Sequence, residues 1–582
     1  GEKLSGTLTH HPLFEAGYPT EAPLFGGDFV STEQGTGFVH IAPGHGADDF
    51  ELGRRHGLEV PETVSDSGTF LPEIPLFGGA HVYKVNPDVI LQLQEYGKLV
   101  ASESYVHSYP HSWRSKKPII FRNTPQWFIN MDESGLRTTA LRAIDETRWV
   151  PATGLNRIRG MVEARPDWCV SRQRAWGVPI AVFVDKKTGE PLRDPEVVER
   201  VAKAVEKDGA DIWFTADPGL FLGPGRDPED FHQVKDILDV WFDSGSTHSF
   251  VLEPDETQAW PANLYVEGSD QHRGWFHSSL LEACGTRGSA PYLEVLTHGF
   301  VMDGKGRKMS KSLGNVIAPQ RVIEQSGADI LRLWVATTDY TEDMRIGPEI
   351  VKGLVDSYRR LRNTLRYLLG NLKDFDEAER LPFADLPELE RWILHRLHEL
   401  NGTLRSAIDE HAFHTFYSAL HNFCATDLSA FYFDVRKDAL YCDVLDSRRR
   451  RAARTVLDHL FHCLTAWLAP ALPFTSEEAW LSRFPSEDDS VHLRLFPDLP
   501  EVWKDQELEA KWNRVRALRR LVTGALELER AEKRIGSSLE ASVCIFYSGS
   551  EEDHLGNTLD MAELAIASEV AWSSAGAPPE AF

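Results

Sequence analysis

This chain of 582 residues has few cysteines and none in close pairs: the six are Cys169, Cys284, Cys424, Cys442, Cys463 and Cys544. No C-x-x-C exists to clamp zinc, and nothing resembles the even-numbered framework that staples small secreted domains. A secretory signal is missing, and so is any run of 18 uncharged apolar residues, so the sequence offers no membrane span. These absences favour a cytoplasmic chain. Positive charge is scarce as well. The 62 Lys and Arg are outnumbered by 88 Asp and Glu, for a net charge of -26. An acidic surface repels phosphate backbones, so any nucleic acid would need a local basic face. Three candidates exist: Arg359, Arg360, Arg362 and Arg366; Arg448, Arg449, Arg450 and Arg451 with Arg454; and Arg514, Arg516, Arg519 and Arg520. Repeats and low-complexity segments are lacking. The chain opens at Gly1 with no initiating methionine, which is read as a sign that the natural start lies upstream.

What is present suits a soluble multidomain protein. Hydrophobic residues make up 42% of the chain, and 16 tryptophans add large apolar side chains. At roughly 100–200 residues per domain, the length allows about three to five domains. Up to about residue 100, short strands with Gly, Pro and Asp turns are expected. Residues 35–46 read as a strand followed by a Gly-rich loop, and residues 48–56 as a helix with an acidic first turn. From 105 to 350, strand-like runs such as Ile119-Ile120-Phe121, Leu264-Tyr265-Val266 and Val295-Leu296-Thr297 alternate with helices, which predicts a parallel α/β sheet. From about 352, apolar residues fall at helical spacing and predict a bundle reaching about 480. A Pro-rich link, a charged helix to about 535 and a short strand at 541–547 follow.

The most specific segment is Gly306-Arg307-Lys308-Met309-Ser310-Lys311-Ser312-Leu313-Gly314-Asn315. Two lysines three residues apart, interleaved with serines, make a cationic loop that can neutralise phosphate oxygens as charge builds during phosphoryl or adenylyl transfer. An isolated K-x-x-K is usually just an exposed turn; the whole decapeptide is far more specific. It resembles the KMSKS signature of the class I aminoacyl-tRNA synthetases. Three further segments resemble the isoleucyl branch of that family: DVWFDSG at 239–245, EGSDQHRGWF at 267–276 and RPDWCVSRQRAWGVP at 165–179. Valyl relatives typically carry T-G-x-D-I-I in place of residues 267–272, so the combination favours isoleucine over valine or leucine.

The resemblance implies a fold of several parts: the C-terminal half of a Rossmann-type nucleotide-binding domain, a remnant of a β-rich editing domain, and a helical anticodon-binding bundle. The corresponding boundaries are 1–104 for editing, 105–304 for the second half of the catalytic domain, 305–351 for the signature loop and stem-contact region, 352–500 for the bundle and 501–582 for a C-terminal junction. It also implies an ATP-dependent activation of L-isoleucine to isoleucyl-adenylate and transfer to tRNA(Ile). Lys308 and Lys311 would contact ATP, with Ser310 between them. Glu267 and Gln271 would contact the isoleucyl-adenylate, and Trp241 and Trp275 would wall the isoleucine slot. No catalytic base is needed, and Mg²⁺ would accompany the phosphates. Core packing is the plain alternative for either tryptophan taken alone.

One missing methylene is weakly discriminated by an apolar pocket, a limit for which isoleucine against valine is itself the standard illustration. A second, hydrolytic site for valyl-tRNA(Ile) is therefore implied. Residues 35–50 resemble its core, with Asp49 placed to bind the α-ammonium and His40 to position ester and water; His45 and Asp48 are weaker candidates. Alone, His40 reads as a strand histidine and Asp49 as a helix N-terminal carboxylate. The tRNA partner is assigned to Arg448, Arg449, Arg450 and Arg451 and to the Arg514–Arg520 helix. The chain departs from the family in lacking the HIGH signature, the Thr-rich editing strand and a Cys-containing zinc module. Ser112 and Ser115 also stand where some relatives have cysteines, so zinc is not expected. On this reading the chain alone is not expected to form isoleucyl-adenylate. It is expected to be monomeric and without membrane association. The alternative of another class is a non-catalytic, synthetase-derived RNA-binding protein.

Overall fold

The computed structural model describes residues 2–31, 33, 36–113, 115–547 and 559–578. The chain forms two compact units, one from residues 1–131 and 166–240, the other from residues 132–165 and 241–582. The cuts fall inside 105–304, because that segment contributes strands and helices to both units.

In the first unit, Leu8–His10 pairs antiparallel with Glu21–Pro23. Leu13, Phe77 and Val85 form a small core, with Tyr18 and Phe70 packed on it. The helix Ala47–Arg55 begins where the sequence places it, with Asp48 and Asp49 in its first turn. There they complement the positive end of the helix dipole. A second core gathers Phe183, Val197, Val201, Trp213, Phe221 and Leu222. Its helix Pro195–Asp208 is capped by Asp194, whose carboxylate accepts the Glu196 N–H at 2.8 Å.

Two expected strands do not form. Residues 38–41 are irregular, with Phe38 62% and Val39 54% exposed, and Gly35 lies outside the described residues. Residues 119–121 are also irregular; the nearest pairing is a single bridge between His111 and Pro118. A strand exists only by ladder pairing; residues 119–121 make isolated bonds, Ile119 N to Pro110 O at 3.1 Å and Phe121 O to His45 at 3.0 Å, and neither run joins a ladder. β-branched and aromatic content alone could not supply the partner.

The second unit contains the parallel sheet. Glu294–His298 lies between Tyr265–Gly268 and Arg148–Val150, both parallel to it. Parallel neighbours require a crossover, and the helix Trp275–Arg287 provides it. That helix is buried from Phe276 to Cys284, so it shows no amphipathic stripe. A second parallel pair, Val301–Asp303 with Met344–Ile346, encloses the signature loop and the helices Pro319–Ser326 and Ala328–Thr337. The bundle follows as predicted: Pro348–Asn371, Glu388–Asp409, Phe413–Asn422, a π-helix at Phe423–Tyr432, Arg448–Leu468 and Pro473–Arg483. It continues into Gln506–Ala531, and one apolar core including Trp392, Trp467 and Trp512 runs through it. The strand Ser542–Phe546 pairs parallel with Glu569–Ser573. Among the described residues no helix is long and apolar enough to cross a membrane.

Candidate active site

Both parts of the expected activation site belong to the second unit. The signature loop is fixed by a residue outside the decapeptide. Asp303 is 6% exposed, and its carboxylate accepts four N–H groups. These are Lys305 N at 3.0 Å, Arg307 N at 2.9 Å, Arg307 Nε at 2.9 Å and Asn315 Nδ2 at 3.0 Å. The Asn315 amide above all, then the Arg307 backbone N–H, holds the Asp303 carboxyl well below the usual range. Asn315 closes the loop from the other side. Its Oδ1 accepts Ser310 N at 3.0 Å and its Nδ2 also reaches Lys308 O at 3.2 Å. Ser310 caps the short turn Lys311–Leu313 by accepting Leu313 N, and Gly314 ends it at φ +63°, a conformation costly for other residues. Met309 points inward, packing beside Trp334, Tyr340 and Ile346. Lys308 and Lys311, on either side of it, are exposed. The loop is thus pinned by the Asp303, Ser310 and Asn315 side chains and by the packing of Met309, while Lys308 and Lys311 are exposed.

The pocket segments lie around the sheet. Glu267 sits near the carboxyl end of Tyr265–Gly268 and is exposed, in the region where open parallel sheets bind ligands. Gln271 and Trp241 converge on Gly274. A Cβ added there would lie 2.4 Å from Gln271 Oε1 and 2.8 Å from the Trp241 ring, so glycine is required by close approach. Gln271 Oε1 accepts Trp275 N at 2.9 Å. Trp275 is held twice: its ring stacks on Tyr265 at 4.2 Å, and Nε1 donates to Ser244 O at 3.0 Å. The structure therefore brings Trp241, Gln271 and Trp275 together. Two indoles and an amide packed around one glycine, with Glu267 exposed four residues before Gln271, are residue types suited to an aliphatic side chain and an ammonium.

The crossover helix buries His277 and Glu282 among its titratable side chains. Burial, then the charges of Arg165 and Arg273, pushes the His277 pKa down to about 3, so the ring is neutral. Burial, then the neighbouring Asp243 charge, pushes Glu282 up to about 9 from 4.5. The folded state therefore keeps a proton that the unfolded state releases between those values. The contribution of Glu282 to stability should fall as pH rises across that window. Glu282→Gln should flatten this slope, as read by denaturant midpoints at pH 5, 7 and 9; parallel slopes in the two proteins would sink the assignment.

In the first unit, Asp49 folds back on its own loop: Oδ2 accepts Ala42 N at 2.9 Å. His40 is exposed and lies close enough to His11 to lower that ring's pKa, after the larger effect of burial. Sequence reasoning missed His11, which stands 29 residues from His40 in no recognisable motif. His45 is tied at both nitrogens, to Phe121 O and to Thr63 Oγ1, each at 3.0 Å.

The four arginines at the start of Arg448–Leu468 sit at the positive end of a helix dipole. Their guanidinium groups turn onto the chain's own acceptors. Arg448 bonds Asp385 O at 2.6 Å, Arg449 bonds Asp443 at 2.7 Å, Arg450 bonds Leu440 O at 2.5 Å and Arg451 bonds Ala378 O at 3.0 Å. Only Arg448 is classed as exposed among them. Their first role is to join bundle segments.

Among the described residues, one group has metal-like spacing: His395, Glu399 and Glu509. His395 Nδ1 accepts Asp505 N at 3.0 Å. Its Nε2 lies 3.5 Å from Glu399 and 3.6 Å from Glu509.

Comparison with known proteins agrees with these features. Residues 33–347 match the family model described as tRNA synthetases class I (I, L, M and V), and residues 390–545 match the anticodon-binding domain of tRNA ligase. Over 98% of this chain, the sequence is 56% identical to a protein of Gluconobacter oxydans named isoleucine–tRNA ligase, covering 60% of that protein. Relatives of the same name share 51% in Pelagibacter ubique and 53% in Brucella abortus, covering 63% and 62% of those proteins. The chain thus spans somewhat under two thirds of the length of the curated relatives it matches.

Proposed function

We propose, since the chain belongs to the class I tRNA synthetases of the I, L, M and V group, that it serves an isoleucine–tRNA ligase. The observation carrying this reading is the pinned loop presenting Lys308 and Lys311 to solvent, in a chain more than half identical to proteins named isoleucine–tRNA ligase. In the proposed reaction, a carboxylate oxygen of L-isoleucine attacks the α-phosphorus of ATP, the α–β bridging bond breaks, and diphosphate leaves. The 2′- or 3′-hydroxyl of tRNA(Ile) then displaces AMP from the adenylate. Lys308 and Lys311 stabilise charge on the departing phosphates, and Ser310 shapes the turn between them. Mg²⁺ bound to ATP would supply further neutralisation of the phosphate charge beside Lys308 and Lys311. Glu267 and Gln271 orient the adenylate, and Trp241 and Trp275 hold the aliphatic side chain.

Editing is proposed for the first unit. Asp49 would receive the α-ammonium of a misattached valine, and His40 would hold the hydrolytic water. tRNA(Ile) is proposed to lie on the bundle; Arg448, Arg449, Arg450 and Arg451 reach it only with guanidinium edges that the chain's own acceptors leave open. No zinc is proposed. The protein is taken to act as a monomer in the cytoplasm, without membrane attachment.

The test uses the full-length gene product. Amino-acid-dependent ATP–diphosphate exchange should be fastest with isoleucine, with valine slower and leucine slower still; a best substrate other than isoleucine would overturn the assignment. Asp49→Ala should slow hydrolysis of valyl-tRNA(Ile) at least about tenfold, the scale of a lost charge-assisted contact. Wild-type hydrolysis rates in that variant would remove Asp49 from the editing site.

A further inference from the structure

Two hollows of about 400 and 410 Å³ adjoin along the outer face of Pro348–Asn371, sharing Asn363 and Tyr367. One is lined also by Arg360, Asp434 and Lys437, the other by Arg366 and Tyr441. Helical spacing puts residues 360, 363, 366 and 367 on one face. The other arginines of this helix are engaged: Arg359 pairs with Asp356 at 3.2 Å and Arg362 with Glu478 at 3.8 Å. Among the described residues, no carboxylate lies within ion-pair distance of Arg360 or Arg366. The one acid of the groove, Asp434, is held by Lys437 at 2.7 Å. In a chain of net charge -26, two unneutralised guanidinium groups on one face stand out electrostatically. They are about 9 Å apart along the helix axis at ~1.5 Å per residue, so two flexible arms could reach neighbouring phosphates.

The groove has an aromatic side too. Tyr367 is fixed, its ring stacked on Phe433 at 4.2 Å and its hydroxyl donating to Phe433 O at 3.2 Å. Tyr441 lines the same hollow and is 63% exposed. The π-helix Phe423–Tyr432 adds Cys424 and Ser429 to the lining; π turns are frequent at functional sites. Paired cations beside an exposed ring match RNA with an unstacked base, the cations taking phosphates and the ring taking the base face.

We infer that this groove binds an unstacked segment of RNA, with Arg360 and Arg366 on phosphates and Tyr441 stacked on a base. The inference rests on the tRNA reading above and places its contact on the helix Pro348–Asn371, not at the Arg448–Arg451 turn. The probe is an unmodified tRNA(Ile) transcript titrated into the chain by fluorescence anisotropy at several salt concentrations. The Arg360→Glu/Arg366→Glu variant should bind at least about tenfold more weakly, and its log Kd against log salt slope should be shallower by about 1–2. Tyr441→Ala should weaken binding about tenfold, and Tyr441→Phe should bind like wild type. All three substitutions are at exposed positions, and an unchanged melting curve checks the fold. Wild-type affinity in both the arginine variant and Tyr441→Ala overturns the groove while leaving the tRNA reading intact. Loss with the arginines but not with Tyr441→Ala overturns base stacking and leaves a plain anion patch. No binding of the transcript by the wild-type chain overturns both readings.

Discussion

Replacing Glu390 by alanine should destabilise the helical bundle by about 3–5 kcal/mol, the scale for removing one partner of a buried ion pair. Glu390 is fully buried on the helix Glu388–Asp409. Its carboxylate accepts Arg436 Nε at 2.6 Å and Nη2 at 2.8 Å, a forked pair, and the Tyr432 hydroxyl at 3.2 Å. Arg436, itself 4% exposed, extends the network by donating to Glu563 at 2.8 Å. Alanine would leave a guanidinium buried without its main counter-charge and a tyrosine hydroxyl without its acceptor. The cost comes mostly from that stranded charge, because the intact pair has itself given up hydration. The double variant Glu390→Leu/Arg436→Met should therefore recover much of the loss. Urea unfolding of the three proteins measures this. A loss under about 1 kcal/mol in Glu390→Ala, or a double variant worse than the single, would refute the account.

This pair also marks where sequence reading stops. The bundle was legible because apolar residues recur at helical spacing over long stretches, and burial of Leu361, Leu365 and Leu368 follows that pattern. The pairing of Glu390 with Arg436 was not, since 46 residues separate them and neither lies in a motif. The strands at 265–268 and 294–298 were legible as apolar runs flanked by helices. The runs at 38–41 and 119–121 have similar composition but join no strand ladder, and pairing is a tertiary fact. In the candidate site, matching segments pointed to Trp241, Gln271 and Trp275, and the structure gathers them around Gly274. The arginines at 448–451 read as a basic patch because charge is visible in sequence, whereas carbonyl acceptors from residues 378, 385 and 440 are not.

Asp303 gives the second large expectation. Substituting asparagine should lower the isoleucine-dependent ATP–diphosphate exchange kcat of the full-length protein about 100-fold, the scale of a misplacement near 1 Å transmitted to reacting groups. The side chain touches no substrate in this reading. It positions the loop by accepting from Lys305, Arg307 and Asn315. An amide keeps the size but presents an NH₂ toward these N–H donors and loses the charge that pairs with Arg307 at 2.9 Å. Lys308 and Lys311 would then sample positions away from the phosphates. The KM for isoleucine should change little, because the slot around Trp241 and Trp275 is built on other segments. Adding Asp303→Asn to Lys311→Ala should cost less than the product of the two single effects, since part of the Asp303 effect acts through Lys311. The pH profile provides a further check. The Asp303 carboxyl is held below its usual range, so its support is present above the ordinary carboxylate value of 3.8 and is lost only as pH falls through the lower folded value. Between pH 6 and 9, Asp303→Asn should therefore depress exchange by a constant factor. A pH-dependent deficit, or a kcat within threefold of wild type, would show that the loop is set by something other than this carboxylate.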